Sequence, residues 1–487
     1  MGGMDRSRDP RRIAPYLQDE SRWSGGRAEE VVWPECLDDV CDIVASAAAG
    51  GSALTISGGG TGVTGGRIPS GGAVLATERL SHLGPVRNLP PDRGALRVGV
   101  GVSLQQIQEH VEGSGFFYPP DPTERSAFIG GTLATNASGA RSYHYGATRS
   151  WVSSLTVVLC DGEILQLERG RVLARDGVFE CETQRGGKRR FPAPDWSLPA
   201  TSKYASGYYG ERKMDLIDLL IGSEGTLAVI VEAELRLAPV PEEIVSGVLL
   251  FDEESDAFAM IDDLRENGAV RPISLEYFDE RALDLMRAQA PFLSERTRAG
   301  LLFEQCSSSR DVDSLNDEWL RLAERYRADG ASWFAVDAAD RRRIRDFRHA
   351  LPSTVNQRLS RRGVRKFSTD SAVPWEVFPE MLRRSRERLE KAKLEYVAFG
   401  HVGDAHLHFN ILPRDASEQA AAAEAQHEVA KIACSLGGVM SAEHGIGKIK
   451  RKTLAALTQP ETLARMREIK TAFDPGWILG PGTLFAP

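Results

Sequence analysis

The chain has 487 residues, 60 Lys and Arg against 68 Asp and Glu, and a formal charge of −8. That length suits about two to four domains of ~100–200 residues, with cores that need no disulfide or metal staple. The acidic balance argues against a nucleic-acid partner, which calls for a basic footprint; no apolar run of about 18 residues predicts a membrane span.

In chain order, residues 1–27 read as a loosely held arm, polar and Arg-rich at its start, without the apolar segment of a secretory signal. Leu37, Val40, Cys41, Val44, Ala45 and Ala48 have helical spacing, and Gly50 and Gly51 stop that helix. Short strands follow at 53–57, 73–77 and 97–100. Ser103 and Gln106 form a capping box before a helix carrying Leu104, Ile107 and Val111. Residues 155–160 and 163–167 read as strands about an Asp161-Gly162 turn, and 226–237 as a long strand ending at Pro239 and Pro241. That proline stretch is the expected domain boundary. Beyond it, strands (247–251, 273–278, 300–306) alternate with helices (256–267, 310–329), which predicts an α+β domain with one antiparallel sheet. Strands at 395–400 and 406–412 and an Ala-rich helix over 417–436 complete it. The six cysteines, with no C-x-x-C, read as reduced, buried thiols of a cytoplasmic protein.

Glycine is the compositional outlier. There are 47, about a tenth of the chain against a usual ~7%, and the most informative lie in motifs. Gly58, Gly59, Gly60, Thr61, Gly62, Thr64 and Gly65 sit in a loop between two strands. Their N–H groups form a nest that binds phosphate without a cationic side chain; the plainer reading is a flexible hairpin. Pro120, Asp121 and Thr123 lead to Gly130, Gly131, Thr135, Asn136 and Gly139, small residues that let a flat ligand approach the backbone. Glu224, Gly225 and Thr226 form a turn feeding a strand. His401, His406, His408 and Asn410 lie in Gly-His-Val-Gly-Asp-Ala-His-Leu-His-Phe-Asn, a metal-site pattern, or else a polar strand edge. Glu443 and His444, between Ala442 and Gly445, offer a metal carboxylate beside a general base, or else a helix start with an exposed acid. The basic run over 341–366 reads mostly as a solvated helix face, with Arg345 and Arg348 sharing one side and at least one arginine free to clamp a carboxylate.

These five motifs, in this order, resemble the FAD-linked oxidases of the vanillyl-alcohol-oxidase/p-cresol-methylhydroxylase superfamily, in particular the D-2-hydroxyacid dehydrogenase branch. The resemblance implies an α+β fold: a PCMH-type FAD-binding domain of two α+β subdomains over 28–239, a cap domain over 240–440, and a segment, 441–487, returning to the FAD domain. It implies non-covalent FAD held by Gly58–Gly62, Thr64, Gly65 and the second and third motifs. It implies a divalent metal, zinc or manganese, on His401, His408 and Glu443. His444 would be the base, and Arg348, Lys366 and Asn410 would lie on the substrate side. His406 stands where relatives have Asn, and Ala405 where they have Gly, so His406 reads as a third nitrogen ligand or a neighbour of the metal. The expected activity is oxidation of a D-2-hydroxy acid such as D-lactate, glycolate or 2-hydroxyglutarate. Electrons would pass to a quinone, a cytochrome or an electron-transfer flavoprotein, with peripheral contact at the inner face of a membrane and a homodimer among the expectations. The alternative is a transferase resembling the alkyl-dihydroxyacetone-phosphate synthases, which use FAD without net redox change.

Overall fold

The computed structural model describes residues 4–268 and 270–486; residues 1–3 of the expected arm lie outside them. The arm is not loose. Its strand Asp5–Ser7 pairs with Glu30–Trp33, buried Tyr16 accepts a hydrogen bond from Trp33 Nε1 at 2.7 Å, and the Asp19 carboxylate takes the Gly65 N–H at 2.9 Å. Aromatic burial and a long-range hydrogen bond tie down a segment that is polar in sequence.

The first sheet orders Asp5–Ser7, Glu30–Trp33, Ala73–Ala76 and Leu54–Ser57. Leu54–Ser57 and Ala73–Ala76 run parallel. The glycine loop is therefore a crossover, not a hairpin, because parallel neighbours cannot be joined by a tight turn. The second sheet is antiparallel. Its centre is Val229–Pro239, flanked by Arg93–Gly99 and Val152–Val158. Along Val229–Pro239 buried and half-buried residues alternate, as period-2 geometry requires. Helix Leu37–Ala49 follows its predicted stripe, and the Ser103/Gln106 capping box is formed in full.

Past Pro241 the sheet is antiparallel throughout, with Glu243–Phe251, Ala299–Ser307, Ser274–Asp279, Tyr396–Gly400 and His406–Ile411 side by side. Leu407, Phe409 and Ile411 enter one helix-covered core. Val397 and Phe278 belong to the other core, with Ile344, Phe347 and Leu351 of helix Ala338–Arg362. Residues 440–485 contribute Met440, Ile446, Met466, Leu479 and Phe485 to the core of the first two sheets. No helix of the described residues is long and apolar enough to cross a membrane. All six cysteines are free.

Candidate active site

Between the glycine-rich loops and the antiparallel sheet beyond Pro241 lies a cavity of about 460 Å³, within the usual range of a small-molecule site. One side carries Gly58, Gly59, Gly60, Thr61, Gly62, Thr64, Thr123, Gly130, Gly131, Thr135, Gly139, Glu224 and Gly225. The other carries Arg348, Lys366, His401, His408, Asn410, Glu443 and His444. Residues almost 400 apart in sequence thus line one cavity.

The glycine side fits a ligand that touches backbone. Gly131 lines the cavity without a positive φ, and a Cβ there would meet nothing within 4 Å. Neither backbone strain nor protein packing requires glycine at that point. The open space leaves room for a ligand to lie against the main chain.

Gly65, Pro120, Asp121, Asn136 and Thr226, predicted to touch the cofactor, do not line this cavity. Gly65 turns the loop, its N–H spent on Asp19. Asp121 stands 3.7 Å from Arg141, and Pro120 is packed beside it. Asn136 takes the left-handed conformation that ends helix Ile129–Thr135 and accepts from Arg149 N at 3.0 Å. The Thr226 hydroxyl donates to Ser223 O at 2.6 Å. They shape the wall from behind. Glu224 lines the cavity, yet its carboxylate accepts the Ile446 and Gly447 N–H groups at 2.8 and 2.7 Å. It latches the C-terminal motif to the glycine side, and burial raises it to about 7.

On the opposite wall, strand His406–Ile411 directs His408 and Asn410 away from the helix-covered core that holds Leu407 and Phe409. His401, His406, His408 and Glu443 present ligand-type atoms within 4.8 Å of one another. His401 Nε2 is 3.3 Å from Glu443 Oε1, and His408 Nε2 is 3.6 Å from Glu443 Oε2. His406 is fully buried; its Nδ1 makes no hydrogen bond, and its Nε2 has only the Asp370 carboxylate, 3.3 Å away and off hydrogen-bond geometry. Burial, then His408, pushes it down to about 4. A neutral, buried imidazole without a well-formed hydrogen bond, beside two histidines and a carboxylate, fits a divalent cation. The charge agrees. Burial opposes a proton on His401, but Glu276 and Glu443 outweigh it and raise that imidazole to about 9; these carboxylates favour positive charge at this spot. The HisLeuHis segment is not a polar edge, and Glu443, with a side chain 9% exposed, starts no helix. Ala405 adopts φ 49°, a left-handed turn costly for any residue with a Cβ. Gly400, at φ +138°, could not carry a Cβ without crowding His408 Cδ2 at 3.1 Å.

Sequence reasoning missed the carboxylates and cation that hold these groups. Asp370, fully buried, accepts from Ser441 Oγ at 2.6 Å, Glu443 N at 3.1 Å, His444 N at 2.9 Å and Lys450 Nζ at 2.8 Å. It also lies 3.3 Å from His406 Nε2 and 3.4 Å from His444 Nδ1. Lys203, fully buried, donates to Glu443 Oε1 at 2.7 Å and Gly139 O at 3.0 Å. Glu276 contacts His401 Nδ1 at 2.5 Å and Arg348 Nε at 3.3 Å. Each stands alone among ordinary residues in sequence, so no local signal could have found it. Burial drives His444 down to about 3 against the pull of Asp370, which leaves a neutral imidazole in the cavity. Of the basic run, Arg348 turns inward against Glu276 while Arg345 faces solvent.

A glycine-lined cradle facing a histidine-carboxylate cluster is the arrangement of a flavin-dependent oxidoreductase. Residues 28–168 match the family described as "FAD binding domain", and residues 240–484 match "FAD linked oxidases, C-terminal domain". The chain belongs to the FAD-linked oxidases and is an FAD-dependent oxidoreductase with a PCMH-type α+β fold. It is 31% identical to a D-lactate dehydrogenase of Archaeoglobus fulgidus, over 93% of this chain and 90% of that one. It is 31% identical to a D-2-hydroxyglutarate dehydrogenase of Xanthomonas citri, over 98% and 93%. It is 27% identical to the glycolate oxidase subunit GlcD of Bacillus subtilis, over 97% and 92%. Among solved structures, an alkyldihydroxyacetonephosphate synthase superposes with a TM-score of 0.69 at 15% identity, covering 98% of this chain and 82% of that one; this likeness concerns the fold.

Proposed function

We propose that the protein oxidises a D-2-hydroxy acid to the 2-oxo acid, with His444 as the base. The observation that carries this reading is the meeting of neutral His444, the His401/His408/Glu443 cluster and the cations Arg348 and Lys366 on the wall that faces the glycine cradle. The dehydrogenases and the oxidase subunit it resembles act on substrates of this class by name.

FAD, when bound along Gly58–Gly62 and Gly130–Gly131, would supply a two-electron acceptor for the substrate's hydride. A divalent metal, which His401, His408 and Glu443 would hold with His406 beside them, would supply a Lewis acid that eases loss of a hydroxyl proton. The remaining work belongs to the chain. Arg348 and Lys366 fix the carboxylate, and so the face of C2 presented to the cradle. Asn410 lines the cavity and its Oδ1, buried and without a partner, is left to accept a hydrogen bond. His444, neutral at working pH, takes the hydroxyl proton on a ring nitrogen. Asp370 grips both main-chain N–H groups of the Glu443-His444 pair and holds the base in place. Glu276 does the same for His401 and Arg348.

A synthase reaction without net redox change gives no use for the histidine-carboxylate cluster. Anaerobic addition of D-2-hydroxy acids to the FAD-loaded protein tests the proposal. It expects loss of the oxidised-flavin absorbance with at least one; retention of the yellow colour with all of them refutes it.

A further inference from the structure

We infer that the substrate is a 2-hydroxy acid with one carboxylate and an apolar side chain, not a dicarboxylate. This rests on the dehydrogenase reading and deepens it.

The wall around the cluster has a defined order. Across the sheet, Phe278 is the register partner of Phe399, and Phe399 is the register partner of His408. Directly opposed residues stand about 4.5–5.5 Å apart at Cβ. All three line the cavity, so a row of two phenyl rings leads away from the candidate metal ligand. Pro352, on helix Ala338–Arg362, lines the same cavity. A substrate whose hydroxyl lies at the histidine cluster therefore meets apolar surface beyond C2.

The charge census points the same way. Arg348 balances its charge against the Glu276 carboxylate through Nε at 3.3 Å, which leaves its terminal N–H groups to share the substrate carboxylate with Lys366. Arg67, at the glycine end, donates to Gly58 O at 3.1 Å and Pro15 O at 2.7 Å. Lys366 opens into the cavity, and among the described residues no carboxylate pairs with it. Away from the glycine end, Lys366 is the one lysine or arginine of the lining with no carboxylate beside it among the described residues, and it matches one substrate carboxylate. A second carboxylate on the side chain would lie against Phe278, Phe399 and Pro352 without a partner, and an unpaired buried charge is strongly disfavoured.

The test is kcat/KM for the FAD-loaded enzyme with D-lactate, D-2-hydroxybutyrate and D-2-hydroxyisovalerate against D-malate and D-2-hydroxyglutarate. The expected preference for the monocarboxylates is at least about 100-fold, the scale on which an apolar pocket rejects an added polar group. A dicarboxylate used as well as or better than all three overturns this inference and leaves the dehydrogenase reading standing. Absence of turnover and of flavin reduction with all five overturns the reading itself and this inference with it. A second arm is Pro352→Arg, which places a cation four residues from Arg348 on the same helix face. Loss of a proline from a helix interior offsets the like-charge cost of an arginine at i+4 from Arg348, and thermal melting checks that the variant folds. It should shift the ratio at least about tenfold toward the dicarboxylates; an unchanged ratio at full FAD content overturns the placement of the side-chain pocket.

Discussion

Asp370→Asn isolates the group that positions the proposed base. The carboxylate uses Oδ2 for Ser441 Oγ, His444 N and Lys450 Nζ, and Oδ1 for Glu443 N. An amide has one acceptor oxygen. Whichever way it turns, an NH₂ meets a main-chain N–H, and the Lys450 charge, 15% exposed, loses its carboxylate. A stranded buried donor costs about 1–3 kcal/mol, and breaking a buried ion pair about 3–5 kcal/mol. Partial access of water to Lys450 places the total at about 3–5 kcal/mol. The segment 441–445 then loosens, and a shift of about 1 Å in a reacting group costs about 10²-fold in rate. The assay is steady-state kinetics beside thermal melting and FAD content. The expected result is kcat down about 10²-fold, KM for the hydroxy acid within a few-fold because Arg348 and Lys366 are intact, a lower melting temperature and FAD retained. A variant with kcat within twofold and an unshifted melt would falsify the role assigned to Asp370.

His408→Ala should lower bound divalent metal and abolish turnover with FAD still bound; metal analysis and absorbance check it, and full activity would make the cluster structural. Gly131→Ala should raise the melting temperature of the apoprotein slightly, since alanine suits a helix better by about 1 kcal/mol, yet weaken FAD binding at least about tenfold, and titration of the apoprotein with FAD measures this. Because His444 is held near 3, kcat/KM should show no acid limb near pH 6.5; a limb there would assign the base to a less buried group. Glu224 is raised from 4.5 to about 7 in the fold. Its contribution to stability is therefore full below about pH 4.5 and lost as pH rises through 7, a span of about 3 kcal/mol at most. Melting temperatures of the FAD-loaded protein should show Glu224→Gln gaining on the parent from pH 5 to pH 7.5, and parallel profiles would count against that pKa.

The sequence by itself carried whatever is local. Helix Leu37–Ala49, the capping box at Ser103 and the alternation of His408 and Asn410 against Leu407 and Phe409 follow from periods of 3.6 and 2, which any short window displays. The five motifs are likewise contiguous, and with the resemblance they identified the cofactor family and most of the cavity wall. Tertiary structure alone decided which groups hold those motifs in place. Asp370, Lys203 and Glu276 make their contacts with residues far away in the chain, so no spacing reveals them. It also decided that the loop of Gly58–Gly62 is a crossover between parallel strands, that Glu224 spends its carboxylate on the C-terminal motif, and that Lys366 has no carboxylate beside it among the described residues. Each of these depends on where burial removes water from a charge and which partner replaces it, and that is a property of the packed fold.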